Sequence, residues 1–432
     1  MALLKRPNGT LDTLPSEITD WQALEDFLRS TAHVNGFREI RVPTFEYTEL
    51  FARGVGETTD VVQKEMYTFD TGKHSYTLRP EGTAGTIRAI LENGLLNEAL
   101  PLRVFYILSC FRHESVQHGR LREFHQFGVE MAGSPHPAAD AEVIGLAHQI
   151  LTELGLKNVA LRINSIGCPA CRKNYSEALR AYFAPHQDCM CETCHDRMTR
   201  NPLRLLDCKE EKCREIGKDA PSILDYLCED CSTHFENLKA NLTLLGIAYT
   251  VDSRIVRGLD YYTKTVFEFI VPDGNGELTV CGGGRYDGLV QELGGAPTPA
   301  LGFGMGLERL LMTLHEQGEQ LAEEEPCALY IVPMGEKAAN KALALSMQMK
   351  REGTAVQTDV MGRSLRKQMA YADKIGARFT TVIGDNELES KETVLKNMKT
   401  GEKITVKLDD SFAKTFRDIE IADRLADDRN IS

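Results

Sequence analysis

Apolar and polar positions alternate along this chain with periods that change from region to region. Residues Trp21 to Ala32 carry apolar side chains at helical intervals, and Phe37 to Val42 reads as a strand that Pro43 ends. Three later stretches, Ser176 to Phe183, Ala220 to Leu227 and Phe235 to Leu245, again have helical spacing. Beyond Glu323-Glu324-Glu325-Pro326 the pattern becomes a regular alternation. Strands are predicted at Ala328 to Val332 and Phe379 to Ile383, with helices at Lys337 to Lys350 and Ser364 to Ile375. That alternation predicts an α/β domain over residues 327–425. No solenoid-type repeat or low-complexity tract interrupts the chain.

A length of 432 residues exceeds the usual single core, so two or three domains are expected. Hydrophobic residues at 42% and charged residues at 26% are ordinary for a globular protein, and no apolar run approaches the ~18 residues of a membrane helix. The N-terminal MALLKRPNGT lacks the pattern of a secretory signal, which predicts a cytoplasmic protein with no membrane role. A net charge of -13 argues against non-specific nucleic-acid binding, which depends on Lys and Arg. Local basic patches at Gly362 to Lys367 and Lys391 to Lys407 are the places where RNA backbone would be met.

Nine of the twelve cysteines fall between Cys168 and Cys231, where they change the picture. Cys168/Cys171, Cys191/Cys194 and Cys228/Cys231 are each spaced C-x-x-C, within a predicted helical insertion at 165–245 that interrupts a larger domain over 1–322. Two readings stand side by side: zinc held by thiolates, or reduced cysteines packed as small hydrophobes. Three pairs exceed one four-ligand site, and Cys189, Cys208 and Cys213 fall outside the pairs. Disulfides do not suit a cytoplasmic protein.

Three separated segments place arginines beside glycines, tyrosines and carboxylates: Phe111-Arg112-His113-Glu114 running to Glu130, Arg257 to Tyr262, and Gly302 to Arg309. Arginine stays charged and binds phosphate oxygens in pairs, and glycine lets backbone approach a ligand, so the three suggest a nucleotide-polyphosphate site. The neighbouring acids and tyrosines imply a second substrate that is cationic or aromatic.

Arg257 to Glu268 (RGLDYYTKTVFE) resembles the signature of histidyl-tRNA synthetases, and Gly282 to Leu289 (GGGRYDGL) resembles its continuation. Arg112 to Glu130 is similar to motif 2 of class II aminoacyl-tRNA synthetases, Gly302 to Arg309 (GFGMGLER) to motif 3, and Gly36 to Pro43 to motif 1. Asn201 to Lys209 resembles insertion text of the bacterial enzymes, and Arg363 to Gly376 resembles their anticodon-binding domain. Ser115-Val116 departs from the family's usual Arg-Pro, and Asn8 from its basic residue.

The resemblance implies an α+β fold: an antiparallel sheet flanked by helices, a helical cysteine-rich insertion and a C-terminal anticodon-binding domain. It implies formation of histidyl-adenylate from histidine and ATP with Mg2+, transfer to the 3′ end of tRNA(His), and a homodimer. Arg112, Arg257 and Arg309 would be catalytic, with Arg112, Glu114, Arg120 and Arg309 on ATP, and Arg122 beside them in the motif 2 loop. Histidine would be held by Glu81, Thr83, Arg112, Gln126, Glu130, Arg257, Tyr261, Tyr262 and Tyr286. A regulatory subunit of ATP phosphoribosyltransferase shares the catalytic fold but lacks a C-terminal domain like residues 327–425. A zinc-containing RNA-binding module would leave the arginines without purpose.

Overall fold

The computed structural model describes residues 3–56, 59, 61–208, 210–255, 259–274, 276–323 and 325–431. It separates into two compact units, Met1–Glu323 and Glu324–Ser432. The first unit begins with helix Ile18–Val34, strand β1 (Arg38–Glu39), and strands β2 (Phe45–Tyr47), β3 (Thr68–Thr71) and β4 (His74–Leu78), followed by helix Thr83–Glu92. Long strands β5 (Leu102–Phe111) and β6 (Glu123–Ala132) come next. Then follow helix Pro137–Glu153, β7 (Ala160–Ser165), β8 (Thr250–Val251), β9 (Thr263–Asp273), β10 (Gly276–Arg285), β11 (Ala300–Gly306) and helix Leu307–Glu316.

These build an eight-stranded sheet in the order β1-β5-β6-β11-β10-β9-β7-β8. Its six central strands are antiparallel neighbours, and the short β1 and β8 add in parallel at the two edges. The predicted strand at Phe37 to Val42 is therefore shorter than its sequence pattern: only Arg38–Glu39 pairs with β5, because Pro43 and the turn into β2 draw the chain away.

Pleating gives the central sheet two unlike faces. Phe105, Phe127, Val129, Met131, Leu301, Phe303 and Met305 point into the main core, where they meet Leu146, Ile150 and Leu310 from the helices. On the other face the register sets Tyr106 opposite Gly128, Glu130 opposite Gly302, and Gly282 opposite Gly304. This second face has almost no bulk of its own in its middle, so a concavity forms there.

Between β7 and β8 lies the cysteine-rich segment, with helices Pro169–Phe183, Glu192–Arg200, Glu211–Gly217 and Glu229–Leu244. Tyr175, Leu179, Phe183 and Leu205 form a small core of its own. Ala220 to Leu227, with helical spacing in sequence, contains only a short turn of helix at Ile223–Tyr226; Pro221 blocks an earlier start and Ser222 caps the turn.

The second unit holds β12 (Leu329–Pro333), β13 (Val356–Thr358), β14 (Phe379–Ile383), β15 (Glu392–Asn397) and β16 (Lys403–Lys407) in the order β13-β12-β14-β15-β16. The first three strands of that order run parallel and the last two antiparallel, beside helices Glu336–Arg351 and Leu365–Lys374. Its core is Leu329, Ile331, Phe379, Ile383 and Phe416. In the first basic patch Arg363 is bound to Asp359 at 2.8 Å and stacked 4.4 Å from the ring centre of Tyr371, whereas Arg366 and Lys367 are exposed. Among the described residues no helix is long and apolar enough to cross a membrane.

Candidate functional site

The concave face of the eight-stranded sheet carries two adjoining cavities. A smaller one of about 70 Å³ is lined by Glu81, Thr83, Arg112, Gln126, Tyr261, Tyr262 and Tyr286, with Gly302 and Gly304 as floor. A larger one of about 160 Å³ is lined by Arg112, Glu114, Arg120, Phe124, Gln126, Glu308 and Arg309. Arg112, Gln126, Gly282 and Gly304 belong to both walls.

The floor is glycine because side chains from neighbouring strands already fill the space above it. A Cβ on Gly302 would collide with the Glu130 carboxylate and the Val129 carbonyl, one on Gly304 with the Gln126 amide, and one on Gly128 with the Tyr106 ring. Each collision is with a polar or aromatic group that lies against the small cavity, so the glycines and these groups come as one arrangement.

Glu81 sits immediately before helix Thr83–Glu92 and accepts hydrogen bonds from the N–H groups of Thr83 (2.7 Å) and Ala84 (2.8 Å). It is a carboxylate at a helix N-terminus, where the exposed donors favour negative charge. Only 2% of it is exposed, and burial, partly offset by those N–H donors, pushes its pKa upward. Gln126 accepts from the Gly82 N–H at 3.0 Å, which ties the same corner to β6.

Glu130 lies one layer deeper, 1% exposed. The hydroxyls of Tyr106 (3.1 Å) and Tyr286 donate to it. Burial raises its pKa to about 8; the hydroxyl of Tyr286 pulls it back and the charge of Glu81 pushes it further. Two buried carboxyl groups in one corner are costly to charge together, and a positive ligand relieves that cost. Tyr261, Tyr262 and Tyr286 pack on one another with ring centres 4.7 to 6.5 Å apart and close the far side.

In the larger cavity the arginines are held by backbone oxygen. Arg112 Nε donates to Pro80 O at 2.8 Å, and its guanidinium lies 5.4 Å from the Phe124 ring centre. Arg309 donates to Gly119 O (2.7 Å) and Thr279 O (2.9 Å). These carbonyl partners hold both guanidinium forks on the cleft wall. Arg120 is paired instead with Glu114 at 3.3 Å, and Arg122 donates to the Glu114 carbonyl.

Of the residues singled out in sequence, all but two lie on these walls or directly beneath them. Arg122 stands beside the larger cavity, and Arg257 lies outside the described residues. Three neighbours escaped the sequence reading. Tyr106 is in a strand that reads as uniform core, and Phe124 is an aromatic at the polar start of β6. Glu308, inside the GLER text, lines the larger cavity while accepting from His125 N (2.9 Å) and Nδ1 (2.9 Å), a bond that raises the His125 pKa.

Arg285, in the middle of GGGRYDGL, points away from the site. Fully buried, it pairs with Asp140 of helix Pro137–Glu153 and with Asp287, and donates to the carbonyls of Ser134 and His136. Burial works against the Asp140 charge, yet His234 and Arg285 hold its pKa down at about 2.

The cysteines form two groups of four: Cys168, Cys171, Cys228 and Cys231, and Cys191, Cys194, Cys208 and Cys213. Cys208 and Cys213, which fall outside the C-x-x-C pairs, complete the second group, so the six paired cysteines are not one ligand set. Cys189 is exposed.

A family model described as histidyl-tRNA synthetase matches residues 9–170 and 196–310, and one described as anticodon binding domain matches 328–417. The chain belongs to the histidyl-tRNA synthetase family. The histidine-tRNA ligase of Acetivibrio thermocellus is 51% identical over 408 residues, covering 94% of this chain and 98% of that protein. That of Clostridium novyi is 53% identical over 406 residues, covering 94% and 97%. A crystal structure of the apo histidyl-tRNA synthetase of Staphylococcus aureus superposes with a TM-score of 0.82 at 40% identity, over 96% of this chain and all of that one. The class II synthetase fold, read from the motif text, is the fold observed.

Proposed function

We infer that this chain is a histidine-tRNA ligase that activates histidine with ATP and transfers it to the 3′ end of tRNA(His). The carrying observation is the shared wall. Arg112 and Gln126 border both an arginine-lined cleft and a small pocket of buried carboxyls and tyrosines, so two unlike ligands meet there.

In the first step a histidine carboxylate attacks the α-phosphorus of ATP, and pyrophosphate leaves. No enzyme nucleophile is needed; alignment and neutralisation of growing charge on phosphate oxygens suffice. Arg112, on the common wall, is placed to take charge from both the carboxylate and the α-phosphate. Arg309 faces the end of the cleft where the outer phosphates go, and Glu114, Arg120 and Phe124 border the place for the base. We assign Arg257 to the α-phosphate by its match to the family signature alone. Mg2+ takes hard oxygen ligands, and the Glu308 carboxylate on the cleft wall is of that type; the ion supplies charge to the polyphosphate.

Glu81, Thr83 and Gln126 on the wall, with Glu130 behind it, offer negative charge and acceptors to the α-ammonium. Tyr261, Tyr262 and Tyr286 offer a flat, polar-edged enclosure for the imidazole. A site whose polar groups are buried rejects analogues strongly, because a wrong side chain leaves them unpaired.

The match of residues 328–417 to an anticodon-binding domain supports tRNA as the acceptor. Exposed Arg366, Lys367, Lys391, Lys403 and Lys407 are the phosphate contacts we assign there. A homodimer and a cytoplasmic setting complete the reading. Exposed Phe45, Tyr47 and Phe69 on the β2-β4-β3 sheet offer an apolar face for a second copy. The metal we assign to the cysteine groups is zinc.

The test is histidine-dependent exchange of pyrophosphate into ATP, with other amino acids as controls and tRNA charging in parallel. Histidine-specific exchange with charging is expected; folded protein that exchanges with no amino acid would overturn the reading.

A further inference from the structure

Cysteine makes up a third of the buried core of the cysteine-rich segment. Of the nine buried residues in its cluster, three are Cys194, Cys208 and Cys213. Small domains of this kind depend on a cross-link or a metal. Cross-links are absent among the described residues: every cysteine is free, and the nearest sulfurs stand 3.5 Å apart, well beyond the ~2 Å of a disulfide.

The sulfur spacings suit a metal. Four thiolates around zinc at about 2.3 Å form a tetrahedron whose edges are about 3.8 Å. The first group shows Cys168 to Cys171 at 3.5 Å and Cys168 to Cys228 at 4.0 Å, and the second shows Cys191 to Cys208 at 3.8 Å. Within each group all four sulfurs lie within 4.8 Å of one another. Backbone N–H groups already point at sulfur, from Cys228 to Cys171 (3.1 Å) and from Cys191 to Cys213 (3.3 Å), as they do around ligating thiolates. Each C-x-x-C pair opens a helix with its first cysteine at the N-cap, where helix donors favour the thiolate.

Both groups sit beside segments that reach the pocket. One residue beyond Cys171, Arg172 donates to the carbonyl of Tyr262 at 2.9 Å, while Gly167 and Ile166 exchange backbone hydrogen bonds with Lys264. Between Cys194 and Cys208, Asn201 Nδ2 donates to Asp260 at 3.0 Å and Arg204 Nε lies 3.5 Å from the same carboxylate. The two tethers grip residues 260 and 262, on either side of Tyr261.

We propose that this chain holds two zinc ions, one on Cys168, Cys171, Cys228 and Cys231 and one on Cys191, Cys194, Cys208 and Cys213, which stiffen the wall carrying Tyr261 and Tyr262. Each ion replaces the protons of four thiols, which pass to solvent; nothing is oxidised or reduced. The first site closes the neck of the insertion, joining the start of helix Pro169–Phe183 to that of helix Glu229–Leu244. The second fixes the stretch that carries Asn201 and Arg204. Arg172 and Asn201 are positioning residues, acting on histidine through the tyrosine segment.

The coupling to the pocket rests on the histidine-activating reading; the zinc count does not. Elemental analysis after exhaustive dialysis should find two zinc per chain, falling to one in Cys168→Ser/Cys171→Ser and to one in Cys191→Ser/Cys194→Ser. Less than half an equivalent, metal lost on dialysis alone, or a count indifferent to these substitutions would overturn the sites. Should a cysteine variant fail to fold, cobalt reconstitution of the wild-type chain decides: thiolate-to-cobalt absorption saturating at two equivalents supports the proposal, and saturation below two overturns it. Arg172→Ala and Asn201→Ala should keep two zinc yet raise the histidine KM about tenfold, with the ATP KM within about twofold. An unchanged histidine KM in both sinks the coupling. A wild-type chain that does not exchange pyrophosphate defeats the functional reading and leaves the zinc count standing.

Discussion

The two faces of the central sheet are made by the same strands and obey opposite rules. On one, Phe105, Phe127, Val129 and Met131 interlock with helices, and these side chains are apolar and satisfied by contact. On the other, Tyr106, Gln126 and Glu130 stand over Gly128, Gly302 and Gly304, and the buried groups are polar. From Gln126 to Met131 the period of two in β6 gives odd positions to the core and even ones to the pocket face. One face supplies free energy of folding, and the other spends part of it keeping carboxyl groups dry until substrate arrives.

Substitutions should therefore separate by parity. Phe127→Ala, on the core face, should cost about 3–5 kcal/mol of stability, a hundredfold to several thousandfold in the folding equilibrium, read by denaturant titration. The histidine KM of the protein that remains folded should stay within a few-fold. Gly302→Ala forces Glu130 aside and should lower kcat/KM for histidine about a hundredfold in pyrophosphate exchange, with a smaller stability loss than Phe127→Ala. An equal loss of stability by both would erase the distinction between the faces.

Tyr286→Phe removes one donor from a buried carboxyl and should raise the histidine KM about tenfold with little change for ATP. An effect of similar size is expected with pH. Glu130 is neutral below about 8 in the empty pocket, and a bound ammonium needs it charged, so the histidine KM should fall by roughly three- to tenfold per unit from pH 6 to 8 and then level off. Glu130→Gln should flatten that profile. Because this folded pKa lies above the ordinary 4.5, stability contributed by the neutral carboxyl is full below 4.5 and lost as pH rises toward 8. The Gln variant should therefore melt above the wild type at pH 8, by about 2–4 °C per kcal/mol gained.

Part of the second unit is visible in the sequence: two of its strands and two of its helices. Phe379 to Ile383 is a strand in both readings, and helix Glu336–Arg351 extends the predicted Lys337 to Lys350 by one residue at each end. What stays hidden is tertiary. Tyr106 sits in an apolar run, and nothing local says that its hydroxyl meets a glutamate 24 residues away. Arg285 lies in motif text, yet its partner Asp140 is 145 residues distant, on the opposite side of the sheet from the pocket. Cys208 and Cys213 lack the short C-x-x-C spacing, and only the return of the chain past Cys191 and Cys194 shows that they belong with them.

The common wall of the two cavities has a further consequence for ligand design. A single molecule joining an imidazole-bearing amine to a nucleoside through a carbonyl-phosphate mimic would occupy both chambers across Arg112 and Gln126. Its second half would bind as if present at millimolar concentration, so the tether alone would multiply two modest affinities into one strong one.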